Sequence, residues 1–143
     1  MAKQQPSPLF LNRNTASKFT LAGSGDKAAA AIDHGGTHPR VGFFDTRGRA
    51  VLLGPDRKRL PEGVRLDLPT YKRMPKGYSD PHDLPEHTAG FLGKVLGPLL
   101  RKWGVNRLGY AMAGPVTEDG VQVVAPQIWG PSVTNVPYRK MLE

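Results

Sequence analysis

The sequence predicts an α/β chain whose mixed sheet begins in the order β-β-β-α-β. Three observations predict it. Short apolar runs separated by glycine and charged turns fill residues 28–68. A single long apolar stripe at helical spacing occupies residues 83–103. Glycine (17) and proline (14) make up 31 of the 143 residues, which excludes an all-helical bundle. A meander followed by a helical crossover to a further strand gives a mixed sheet with helical cover.

Residues 1–27 are polar and lack sustained periodicity, so they read as a mostly flexible leader. Ala28 to Asp33 runs apolar into an acid and is followed by Gly35-Gly36. Alanine leans to helix, but the immediate glycines favour a buried strand that ends in a turn. Arg40 to Asp45 is the second strand, Arg47-Gly48 a tight turn, and Arg49 to Leu53 the third strand. Val64 to Leu68 alternates strictly and extends that third strand after an inserted basic loop. In the helix, Asp83 can cap the first turn, with Glu86 completing a capping box. Leu84, Phe91, Leu92, Val95, Leu96, Leu99, Leu100 and Trp103 share one face and read as core. Pro98 predicts a kink or break near Gly97-Pro98, and Gly104 is a natural left-handed stop. Leu108 to Ala113 is the fourth strand, running into Gly114-Pro115. Asp119-Gly120 turns a hairpin into Val121–Val124, and Val136–Glu143 begins another helix.

Length and composition fit one domain with one core. No run approaches the roughly eighteen apolar residues of a membrane span. Cysteine is absent, which removes disulfides, thiolate nucleophiles and cysteine-ligated zinc and leads to a cytoplasmic expectation. The net charge is 20 − 12 = +8. Residues 47–76 carry nine bases against three acids, or +6 of it. A basic face attracts polyanions, including nucleic acid, anionic lipid or a nucleotide. Only Tyr71 lies inside the run, however, so the interleaved aromatics of a single-strand binder are missing, and a solvated basic loop is the simpler reading.

Asp33-His34-Gly35-Gly36-Thr37 sits at the turn after the first strand. Two glycines let a backbone approach a bulky anion and donate N–H groups to phosphate oxygens. Thr37 adds a hydroxyl donor, and Asp33 can hold Mg²⁺ directly or through water. By itself the motif reads equally well as a glycine hairpin.

The run AIDHGGTHPRVGFFDTRGRAV resembles the first phosphate segment of the sugar kinase/actin/Hsp70 superfamily. It is similar, more narrowly, to the ROK family of bacterial sugar kinases and glucokinases. GYAMAGPVTEDGVQVVAPQIWG resembles the same family's Gly-Pro-Val, Asp-Gly and Ala-Pro-Asn-Leu stretch, and Asn135-Val136-Pro137 its next helix start. The likeness spans about residues 28–143 in the right order. It implies a ribonuclease H-like sheet in the N-terminal lobe of an actin-like ATPase, here partial. Two lobes would close over a hexose and Mg-ATP. It implies that Asp33, Gly35, Gly36 and Thr37 face the ATP phosphates, and that Gly114 and Pro115 border the sugar pocket. Gln127 falls where the family has an asparagine that binds sugar hydroxyls. His38 stands where the family has a lysine, so a phosphate cation is lost at neutral pH.

The family's general base, an aspartate in an Asn-Asp pair, would lie beyond Glu143, as would the adenosine site. The chain alone is therefore expected not to turn over. A fifth strand would also lie there, so the fourth strand is expected to present an open edge and the sheet an uncovered face. That predicts a marginal monomer, a homo-oligomer, or a lobe completed by a separately encoded half. The alternatives are a non-catalytic sugar- or nucleotide-binding or scaffold module and, third, a basic nucleic-acid binder. Asp80, His82, Asp83, Glu86 and His87 cluster around the helix start. Asp83 and His87 could pair on a metal at i, i+4, but an acid cluster favoured by the helix dipole explains them more simply. Asp119 reads as a turn former.

Overall fold

The computed structural model describes residues 9–74 and 80–143. In chain order its strands are β1 (Phe10–Leu11), β2 (Thr20–Leu21), β3 (Ala28–His34), β4 (Arg40–Asp45) and β5 (Leu52–Leu53). They continue as β6 (Val64–Leu66), β7 (Leu108–Met112), β8 (Gln122–Val124) and β9 (Thr134–Val136). The α-helices are α1 (Leu84–Phe91), α2 (Gly97–Trp103), α3 (Pro126–Trp129) and α4 (Tyr138–Leu142).

The protein is a mixed α/β chain with a five-stranded mixed sheet in the order β1-β6-β4-β3-β7. β4 runs antiparallel to β3, from Ala28 opposite Asp45 to Asp33 opposite Arg40. β6 returns antiparallel on β4, and β7 lies parallel to β3 on its other side. Three strands therefore form a meander, and the helical segment between β6 and β7 crosses over to the fourth. Two short ladders, β2 with β5 and β8 with β9, flank the sheet.

The side-chain alternation of β3 decides what the sheet can cover. Ala28, Ala30, Ile32 and His34 turn inward and are buried, whereas Ala31 and Asp33 are exposed. The inner face packs Ile32, Val41, Phe43 and Leu66 against Leu92, Val95, Leu96 and Leu99 of the helix. Burying each such side chain contributes about 1.5–3 kcal/mol relative to leaving it in water. The ring of Phe43 meets Trp103 edge-on at 5.3 Å. The outer face keeps small exposed residues, among them Ala31, Gly109 and Ala111. β7 has no further strand on its outer side among the described residues, and Leu108 there is 44% exposed.

Several elements depart from the sequence reading for identifiable reasons. The expected flexible leader is, over residues 9–27, packed onto the sheet. Leu11 and Phe19 are buried, and β1 pairs with β6. The Asn12 side chain holds the following turn by accepting from Asn14 N at 2.9 Å and Thr15 N at 3.0 Å. Residues 1–8 of that leader lie outside the described residues, as does Lys76 of the basic run. The third strand is split: Ala50 bridges to Phe44, β5 joins β2, and β6 takes the place beside β4. Gly63, at φ +70, approaches the Val41 carbonyl too closely for any side chain, and this lets the chain re-enter beside β4.

The helix caps one turn earlier than expected. Asp80, not Asp83, accepts from a backbone N–H, that of His82 at 2.9 Å. At Pro98 the helix does not break. The segment Leu92–Leu96 widens into a π turn, and Gly97 N–H donates to the Leu92 carbonyl. A proline two residues into the next turn cannot donate to the carbonyl four residues before it, and the wider turn absorbs that loss. Gly104 closes the helix at φ +70, as expected. α3 and β9 are short elements without a local sequence signal, and Val136, expected to begin the last helix, closes β9 instead. No helix among the described residues is long and apolar enough to cross a membrane.

Candidate functional site

The turn after β3 lies at the end of the sheet where the parallel strands β3 and β7 both finish. Ala113 N–H donates to the His34 carbonyl at 3.4 Å, so the segment leading into Gly114-Pro115 runs beside the glycine turn. Gly114 in turn lies against the Val124 carbonyl, at φ +105. Gln127 covers Gly36 so closely that a Cβ on Gly36 would stand 2.6 Å from the Gln127 Cβ. The fold thus brings together the stretches around Asp33–Gly36, Gly114 and Gln127, although Gly114 lies 78 residues beyond Gly36 in sequence (114 − 36). Asp33, Thr37, Gly114, Pro115 and Gln127 are exposed, whereas Gly36, expected to face the phosphates, is buried under Gln127. Gly35 has open space where a side chain would stand. An anion can therefore reach its backbone.

The turn is held from below by side chains that the sequence reading did not single out. Thr70, fully buried, donates its hydroxyl to the Gly36 carbonyl at 2.8 Å. His34, also fully buried, has Nδ1 at 2.6 Å from the Tyr110 hydroxyl, which lies 2.8 Å from the Tyr138 hydroxyl. The Trp129 ring meets His34 edge-on at 5.3 Å, and its indole N–H donates to the Gln122 side-chain oxygen. Gln122 passes the network back to the Ala113 carbonyl at 3.0 Å. Burial pushes His34 down to about 4, so it is neutral near pH 7. Burial pushes both tyrosines well above their ordinary value; the neighbouring Tyr138 adds to the rise at Tyr110. At neutral pH this is an uncharged hydrogen-bonded platform beneath the turn.

The donor set suits Mg²⁺ arriving with a phosphate. One exposed carboxylate, Asp33, flanks the turn, and Mg²⁺ bound to phosphates keeps several waters and needs only one or two carboxylates. No group of three or more metal-binding side chains occurs among the described residues. In the cluster at the helix start, Asp80 instead serves as a cap and contacts the His82 ring at 2.8 Å. Asp119 binds the Thr117 hydroxyl within its turn.

Arg40, Arg65 and Arg73 all act electrostatically on His38. Its partial burial first, and these three charges next, hold it below its ordinary value, while Asp67 opposes them. A larger cleft of about 490 Å³ lies elsewhere, between the N-terminal turn and α1. It mixes Arg13 and Lys94 with Asp67 and Glu86, and none of these four is buried. Comparison with protein-family models, with curated proteins and with solved structures finds no match to this chain.

Proposed function

We propose that the chain is the phosphate- and sugar-binding part of an ATP-dependent hexose kinase of the ROK type, an N-terminal lobe of ribonuclease H-like, actin-like architecture. The observation that carries this reading is convergence. Gly36, Gly114 and Gln127, drawn from the segments whose likeness to that family was noted separately, meet at one end of the parallel strands. A three-strand meander with a helical crossover to a parallel fourth strand supports the same reading.

In this reading the Gly35 N–H and the Thr37 hydroxyl receive the phosphates, and Gly36, covered by Gln127, shapes the turn that presents them. Asp33 orients Mg²⁺ and its waters. Gln127, with both a donor and an acceptor, binds sugar hydroxyls at the border formed by Gly114 and Pro115. When bound, Mg-ATP supplies the γ-phosphoryl group for in-line transfer to a hexose hydroxyl. The residues of this chain bind and orient, and none is assigned the role of general base. The open edge of β7 and the exposed outer face of the sheet suit a lobe completed by a second polypeptide or a second copy.

Calorimetry with Mg-ATP tests the reading. The chain should bind Mg-ATP saturably, and Asp33→Ala should weaken it about tenfold or more while changing the affinity for metal-free ATP little. Equal Mg-ATP affinity in the two proteins would remove Asp33 from the site.

A further inference from the structure

The outer face of the sheet carries one transverse row that runs Phe10, Arg65, Arg40, Asp33, Ala111, each directly opposite the next in the strand register. Two arginines thus stand side by side on adjacent antiparallel strands. Like charges directly opposite one another destabilise a sheet. Arg40 is compensated on its other side, where Asp33 stands directly opposite it and Glu62 comes within 3.8 Å with its side chain 88% exposed; Arg65 has Phe10 there instead. Asp67 is engaged by the Asn12 side-chain amide at 3.3 Å. Two clefts flank the row. One, about 260 Å³, is lined by Phe10, His38, Asp67 and Arg73; the other, about 250 Å³, by Asp33, Arg40, Glu62 and Ala111. The His38 ring meets Phe10 edge-on at 5.4 Å, which fixes it at the first cleft.

We propose that Arg40 and Arg65, with Arg73 and His38, form an oligophosphate site on the uncovered face of the sheet. It deepens the kinase reading and rests on that reading's placement of phosphate at the glycine turn. Guanidinium groups bind phosphate oxygens through paired N–H donors, and two of them held side by side offer a fork that a single lysine lacks. An anion seated between them converts an unfavourable like-charge pair into a shared clamp. This explains why the chain manages without a lysine at position 38. It also makes the site depend on β6 and on the 71–73 turn, which lie well beyond the glycine motif in sequence.

The test is binding of inorganic tripolyphosphate, and separately of Mg-ATP, to the wild-type chain and to Arg65→Gln, Arg73→Gln and Arg57→Gln, across a salt series. Arg57 is an exposed loop residue and serves as the electrostatic control. The site predicts saturable tripolyphosphate binding, a loss of about tenfold or more in Arg65→Gln and Arg73→Gln, and a loss under about twofold in Arg57→Gln. It also predicts that Arg65→Gln melts no lower than wild type without anion, since one of two opposed like charges is gone. Equal affinity in wild type, Arg65→Gln and Arg73→Gln overturns the site and leaves the kinase reading standing. So does Mg-ATP binding without tripolyphosphate binding. Equal losses in all three variants with a steep salt slope would mean a diffuse polyanion-binding surface, and would also overturn it.

Discussion

Trp129→Ala should lower the stability of the chain by about 3–5 kcal/mol, a large share of what a domain of this size has. Trp129 is fully buried in a second apolar cluster, beside the one between sheet and helix, with Leu84, Ile128, Val133, Val136 and Tyr138. Its removal opens a cavity that the short helix α3 cannot close, because Ile128 and Gly130 on either side are themselves buried. It also leaves the Gln122 side-chain oxygen and the His34 ring without their aromatic neighbour. The loss reaches function through Gln127, which rides on the same turn and covers Gly36. Trp129→Phe separates the contributions: it keeps most of the packing and loses the N–H donor, and should cost about 1–3 kcal/mol. Urea unfolding of the three proteins checks the order. Equal midpoints for Trp129→Ala and wild type would mean that the second cluster contributes nothing to global stability.

The second large effect is on pH dependence. Folded His34 titrates near 4, whereas an unfolded histidine titrates near 6.5. Between those values the unfolded chain binds a proton that the folded chain excludes. Stability therefore rises with pH in this window and is lost as pH falls from 6.5 towards 4. The gap corresponds to about 3 kcal/mol, all of it retained above about pH 7. His38 is also held below its ordinary value and acts in the same direction, but it is far more exposed. Melting curves from pH 7.5 to 4.5 should thus show a steep fall in wild type and in His38→Gln. His34→Gln should be weaker at pH 7.5 and fall much less steeply below it, keeping only the small slope from His38. A wild-type slope that survives in His34→Gln would assign the acid sensitivity to another group.

The order of the main elements was legible because each rests on a local signal. The apolar run Ala28–Asp33 with its following glycines, the strand at Arg40–Asp45, the stripe from Leu84 to Trp103 and the glycine at 104 all appear where the sequence indicates. The failures share one cause, which is that a local pattern cannot show pairing at a distance. Phe10-Leu11 is too short to read as a strand, yet β6 offers it a partner and the core takes Leu11 and Phe19. The Asp83 cap satisfied the sequence pattern, but Asp80 lies one turn earlier and reaches the first free N–H. The glycine turn and Gln127 were visible as motifs. Thr70, Tyr110, Trp129 and the opposed arginines were not, because their roles follow from register and packing alone.

Amide chemical-shift mapping during a Mg-ATP titration decides whether phosphate is received at the Gly35-Gly36 turn. Saturable shifts are expected to centre on Gly35, Gly36 and Thr37 and to extend to Ala113 and Gly114 across the His34 carbonyl bond, with residues 12–14 and 57–59 unmoved. Saturable shifts confined to the cleft by residues 12–14, or no saturable shift at millimolar Mg-ATP, would contradict that placement.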